Sequence, residues 1–162
     1  VAKYTDLGKG LDAFVAQLLK AASPKVAEQV AEQAAREAAS TIQRRTRQGF
    51  GVARDGGALE RLAPLSPAYV KYRRANASRL SSFTSPGRSN LTFSSELLGS
   101  LSVAKRGGAW KVVLEGARED GLTNAQLARY VSRRRPFLNL AKSEIETIAK
   151  SARRTFASLV KR

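Results

Sequence analysis

Apolar residues fall at helical spacing twice near the start of the chain. Leu11, Phe14, Val15, Leu18 and Leu19 share one side of a helix over 11–22. Ser23-Pro24 restarts the chain, with serine as N-cap and proline at the first helical position. Val26, Val30, Ala34, Ala38 and Ile42 then recur every four residues along a helix reaching about Gln48. That stripe is mostly alanine, which predicts close packing against a neighbouring element rather than a bulky core of its own.

Residues 49–64 are rich in glycine and read as a loop. Ser66-Pro67 signals another helix start, and 68–74 forms a short helix. The segment 75–90 carries five serines and a Pro86-Gly87 turn, too long and polar for a tight connection. It is expected to be an arm that becomes ordered on a neighbouring subunit. In 91–103, Ser94 or Ser95 is placed to cap a one-turn helix through Leu98, ended by Gly99. Two alternating runs, LSVAKR and AWKVVLEG, flank Gly107-Gly108 and predict a hairpin. On its second strand Trp110, Val112 and Leu114 point one way, and Lys111, Val113 and Glu115 the other.

A short helix is expected over 124–131. After Arg133-Arg134-Arg135 and Pro136-Phe137-Leu138, the capping-box pattern Ser143-x-x-Glu146 opens a last helix. Its apolar stripe is Ile145, Ile148, Ala152, Phe156 and Leu159 or Val160. The pattern as a whole predicts one α+β domain over 1–162. Its expected parts are an N-terminal helical pair (about 11–48), a loop, short helix and long extended arm (49–90), a small antiparallel sheet with the Gly-Gly hairpin (about 100–116), and a C-terminal helix packed on the sheet (about 143–161).

Charge changes this picture. The formal net charge is +16, from 29 Lys+Arg against 13 Asp+Glu. Residues 1–43 carry five basic and five acidic side chains, 44–88 ten and two, 89–128 four and four, and 129–162 ten and two. The whole excess therefore sits in two blocks, as expected where a surface faces a polyanion. Nucleic acid is the first candidate partner, an acidic protein surface the second and an anionic membrane the third. The arginines at the end of the long helix also complement its dipole and need no ligand for that.

Candidate chemistry is sparse. The chain has no Cys and no His, which removes disulfides, thiolate nucleophiles and histidine acid–base catalysis. Asp6 with Asp12, and Glu119 with Asp120, are too few carboxylates for a cation site. The glycines of GKG (8–10) and RDGG (54–57) do not match a phosphate loop. No enzyme activity, cofactor or metal is expected. No apolar run of membrane-spanning length occurs, and VAKYTDLGKG lacks a signal-peptide core, so a cytoplasmic site of synthesis is expected. In AYVKYRR, Tyr69 and Tyr72 are three apart. They read first as packing residues of their short helix, second as the walls of a groove for single strands.

Three segments in order, LSPAYVKYRR (65–74), PGRSNLTFSSELLGSLSV (86–103) and RRRPFLNLAKSEIETI (133–148), resemble the tail-completion and head–tail joining proteins of tailed bacteriophages, the phage virion morphogenesis family. Leu91-Thr92 with Leu97-Leu98-x-Ser100 carries the first match and Arg135-Pro136-Phe137-Leu138 the second. The chain departs from the family at Ser94-Ser95, where a glycine is usual, and in the shortened REDGLTNAQLARYV. The resemblance implies a structural virion protein, assembled in the host bacterial cytoplasm, that forms a neck ring of six or twelve copies. Such a ring sits between portal or adaptor and tail proteins, around packaged double-stranded DNA. Candidate contacts to DNA or an acidic partner are Arg44, Arg45, Arg47, Lys71, Arg73, Arg74, Arg79, Arg88, Arg133, Arg134 and Arg135. Leu80, Phe83, Pro86, Leu91 and Phe93 are the candidate subunit-interface residues of the arm. Leu97, Leu98, Trp110, Pro136, Phe137 and Leu138 are candidate structural anchors. Two readings stand beside this one: a sequence-independent nucleic-acid-binding protein that forms no ring, and a basic adaptor on an acidic protein.

Overall fold

Ser23 opens the long helix as its sequence demands: its hydroxyl accepts from the Val26 N–H, and Pro24 takes the first helical position. The computed structural model describes residues 23–53, 57–82, 84–92, 95–118 and 121–160. The helix expected over 11–22 lies outside the described residues, so the N-terminal helical pair is represented by its second member. In chain order the elements are α1 (Pro24–Arg47), β1 (Phe50–Val52), β2 (Leu59–Arg61), α2 (Pro67–Ala75), a 3-10 turn (Ala77–Arg79), α3 (Glu96–Gly99), β3 (Leu101–Arg106), β4 (Ala109–Leu114), α4 (Asn124–Ser132) and α5 (Lys142–Val160). The fold is α+β, with two small antiparallel sheets of two strands each among the described residues.

The core forms where α1 crosses α5 and the β3–β4 hairpin. Val30, Ala34, Ala38 and Ile42 are buried there, joined by Leu97, Leu98, Leu101, Phe137, Leu140, Ile148 and Ala152. Burying a residue such as Ile42, Leu98 or Phe137 contributes about 1.5–3 kcal/mol each. The alanine stripe lets the two long helices approach closely, as its small side chains require. In the hairpin, Gly107 and Gly108 both have positive φ (60° and 78°), the primed-turn geometry. The register Leu101↔Leu114, Val103↔Val112 and Lys105↔Trp110 turns one face of the hairpin inward. Val112 and Leu114 pack against the core from that face, while Val113, on the other, is buried too.

Several expectations need correction. The segment 49–64 contains a hairpin, β1–β2, in register Phe50↔Arg61 to Val52↔Leu59. Its strands span three residues each and β2 is exposed throughout, so no alternating pattern marks them. Gly51 is required by close approach: a Cβ there would collide with the Pro136 carbonyl oxygen and lie 2.9 Å from Leu62 Cδ2. Neighbouring Val52 donates its N–H to that same Pro136 carbonyl at 3.0 Å. Ser95 precedes α3 with φ 63° and makes no side-chain cap, and Gly99 is the last residue of the helix rather than its terminator. At α5 the reach-back acid is Glu144, which accepts from the Ala141 N–H at 2.8 Å; the helix begins at Lys142, one residue before the Ser143 of the expected capping box. Of its apolar stripe, Ile148 and Ala152 are buried, whereas Val160 is 59% exposed. No helix among the described residues is long and apolar enough to cross a membrane.

Candidate functional site

The basic blocks supply many exposed cations and two buried structural arginines. Arg45 leaves the last turn of α1 and enters the interior, where it is 4% exposed. Its guanidinium forms an ion pair with Glu144 and donates to the carbonyls of Phe137, at 2.7 Å, and Asn139. Burial pushes the guanidinium below its ordinary pKa, and the Glu144 carboxylate partly restores it. Arg73, 2% exposed, leaves α2 and donates to the Arg88 carbonyl (2.8 Å) and the Thr84 hydroxyl (2.9 Å). Burial again lowers its pKa, and Tyr69 opposes that shift. Both were candidate contacts to DNA or an acidic partner; both are inside, Arg45 bonded to a carboxylate and two carbonyls of a distant segment and Arg73 to a carbonyl and a hydroxyl of the segment that follows its helix.

Around them lies a polar joint that motif reading missed. Asn90 and Thr92 are wholly buried. Asn90 donates to the Arg47 carbonyl at 3.1 Å, and its side-chain oxygen accepts from Thr84 and Thr92, both at 2.7 Å. Ser81 donates to the Thr92 carbonyl at 2.7 Å. The Ala63 carbonyl accepts from the Ser89 hydroxyl at 2.6 Å and from Arg135 Nε at 3.0 Å, while Arg135 also reaches the Pro64 carbonyl at 2.9 Å. Leu91 sits between Asn90 and Thr92 with φ 54°, a conformation that strains a Cβ-bearing residue and persists only because its neighbours hold it. The one available signal was Asn90 and Thr92 as polar residues flanking a leucine. Most of their bonds are local, to Ser81, Thr84 and each other, but Asn90 also depends on the carbonyl of Arg47, 43 residues away.

Of the expected arm, 75–90, Ala75 ends α2 and Ala77–Arg79 is a 3-10 turn; the other described residues are irregular, but these bonds tie the segment to its own chain. Of the candidate interface residues, Leu80 and Pro86 within it and Leu91 just after it are half-buried; Phe83 and Phe93 lie outside the described residues. Among the anchors, Leu97, Leu98 and Phe137 are buried, and Trp110, Pro136 and Leu138 half-buried.

The remaining candidate cations are at the surface. Arg44, Lys71, Arg74, Arg79, Arg88, Arg133 and Arg134 are exposed, and Arg47 and Arg135 are half-buried. Arg47 and Arg88 meet in an open cleft of about 380 Å³ lined also by Gln48, Ser82, Thr84 and Ser85. Arg133 lies over the Tyr130 ring at 5.3 Å. Tyr69 and Tyr72 stack on each other at 5.9 Å, with ring planes 12° apart, and are 40% and 47% exposed. Their rings are not buried against the body, although packing of the helix onto it was the first reading of their spacing. Among the described residues no cluster of carboxylates is placed to hold a metal ion. Comparison of the chain with protein-family models, with curated proteins and with solved structures gives no match.

Proposed function

We propose that this chain is a non-enzymatic structural protein of a tailed-bacteriophage virion, a head–tail connector or tail-completion subunit that assembles as a ring around the DNA path. One observation carries the reading. The second and third segments that resemble that family meet on a single carbonyl, that of Ala63, just upstream of the first: Ser89 donates to it from one and Arg135 from the other. Arg73 ties the first segment to the second, through the Arg88 carbonyl. The three resembling segments thus meet at one joint of the fold, as a shared structural role for them would require. The exposed cations of the two basic blocks suit a ring whose surface faces packaged DNA or acidic neighbours.

The test is imaging of nuclease-treated protein in high salt, alone and mixed with tail-less capsids of its source phage, alongside mass photometry. Closed rings, or density added at one capsid vertex, are expected. A monomer that leaves the capsids bare overturns the reading. A second reading, a sequence-independent nucleic-acid-binding protein without a ring, is favoured by the way 76–90 folds back on its own chain instead of standing free as a clasp. Under it, neutralising Arg44, Arg74 or Arg134 lowers DNA affinity and leaves the assembly state unchanged.

A further inference from the structure

We propose that α2 and the cleft beside it form a binding site for single-stranded nucleic acid, with Tyr69 and Tyr72 as the base-stacking platform and the Arg47–Arg88 cleft as the seat of a backbone phosphate. Contact of the exposed cations with duplex DNA requires neither feature, so the inference goes beyond the neck reading.

The platform is already organised. The two rings are nearly parallel, 12° apart, at a centroid distance of 5.9 Å. Both keep roughly half their surface in water. Arg73 places its guanidinium 5.9 Å from the Tyr69 ring centroid and is itself locked by Thr84 and the Arg88 carbonyl. Tyr69 is thus held by a buried side chain and Tyr72 stacks on Tyr69, which lowers the ordering cost of stacking a base on the pair. Lys71 and Arg74, exposed on the same short helix, add positive charge beside the rings.

The cleft adjoins the platform through that same arginine. Thr84, which accepts from Arg73, is one of its lining residues, and Arg88, whose carbonyl accepts from Arg73, is another. Among the described residues that line it, Arg47, Arg88, Gln48, Ser82 and Ser85 carry donors, Thr84 already donates to Asn90, and there is no carboxylate. That donor set matches the anionic oxygens of a phosphodiester. A duplex presents phosphates but keeps its base faces stacked inside, so an exposed tyrosine pair gains nothing from it. A single strand offers both groups at once.

The experiment is fluorescence anisotropy of the full chain with a labelled oligothymidylate of roughly 15 nucleotides, and with a duplex of that length, across a salt series. The wild-type chain is expected to bind the single strand about tenfold more tightly than the duplex. Y69S/Y72S should abolish that preference while leaving duplex affinity and salt slope unchanged. Y69F/Y72F, which keeps the rings, should retain it, and Y72S alone serves if the double variant fails to show a native circular dichroism spectrum. R88Q should reduce the single-strand salt slope by about 0.7. Equal affinity for the two nucleic acids, or a preference that survives Y69S/Y72S in a folded protein, overturns the platform; an unchanged slope in R88Q overturns the cleft. A chain that builds neck rings without single-strand preference loses this proposal and keeps the neck reading, and a chain that prefers single strands but leaves capsids bare does the reverse.

Discussion

The middle of α1 and its C-terminal turn are held by opposite means. Along the middle, Val30, Ala34 and Ala38 form a seam of small apolar side chains against the rest of the core. Nothing there is directional; the seam works by excluding water and by close fit. At the last turn, Arg45 ties α1 to Glu144 and to the carbonyls of Phe137 and Asn139, while the Arg47 carbonyl takes a bond from Asn90. There the contacts are directional, charged in part and buried, so each group depends on its named partner. The seam should tolerate small changes and respond in proportion to volume. The joint should respond steeply to the loss of any one partner.

Substitutions can break or sharpen that contrast. R45M removes one half of a buried pair and strands Glu144 with two carbonyls, so a loss of about 3–5 kcal/mol is expected in urea unfolding. Combining it with E144Q, which keeps an acceptor for the Ala141 N–H, should recover about 1–2 kcal/mol of that loss. If the double variant is no better than the single, the carbonyl contacts rather than the ion pair hold the joint. R73M should cost about 1.5–3 kcal/mol. It should also raise hydrogen exchange in 84–92 well before the amides of α1, a local opening that a seam variant would not produce. In the seam, A38L overfills a site that is fully buried and should cost about 1–3 kcal/mol, with unfolding remaining a single global transition. S66A removes the hydroxyl that accepts from the Tyr69 N–H and should cost about 1 kcal/mol, confined to α2. The smallest effect belongs to K105A: its pair with Glu28 joins β3 to α1 at 2.6 Å, but both side chains are about half exposed, so about 0.2–1 kcal/mol is expected and salt should erase it.

Most of the regular structure was legible in the order of residues. Ser23-Pro24 and Ser66-Pro67 each mark a helix start that the structure repeats, hydroxyl cap included. Gly107-Gly108 marks the hairpin turn between residues that pair as Arg106↔Ala109. These signals are local: cap, turn and amphipathic stripe are each contained within a few residues. The β1–β2 hairpin was not legible, because three-residue strands with one fully exposed member carry no period. The candidate site divides in the same way. Charge counting separated the basic blocks from neutral segments but had no means of telling Arg44, exposed, from Arg45, buried one position along the same helix. Spacing put Tyr69 and Tyr72 on one side of α2 and favoured that side as one packed on the body, whereas both rings are exposed.

By itself, then, the chain's sequence determined where helices begin, where the main hairpin turns, that α1 must pack closely, and that excess positive charge resides in two segments. Each of these depends on neighbours in the chain or on simple totals. Tertiary structure alone decided which arginines became internal ties, that Asn90 and Thr92 are buried and satisfied, that Gly51 lies against the Pro136 carbonyl, and that the tyrosines of α2 remain at the surface. The reason is that a buried polar group is tolerable only beside a partner, and the partners here are remote in sequence: Glu144 and the Phe137 carbonyl for Arg45, the Arg47 carbonyl for Asn90.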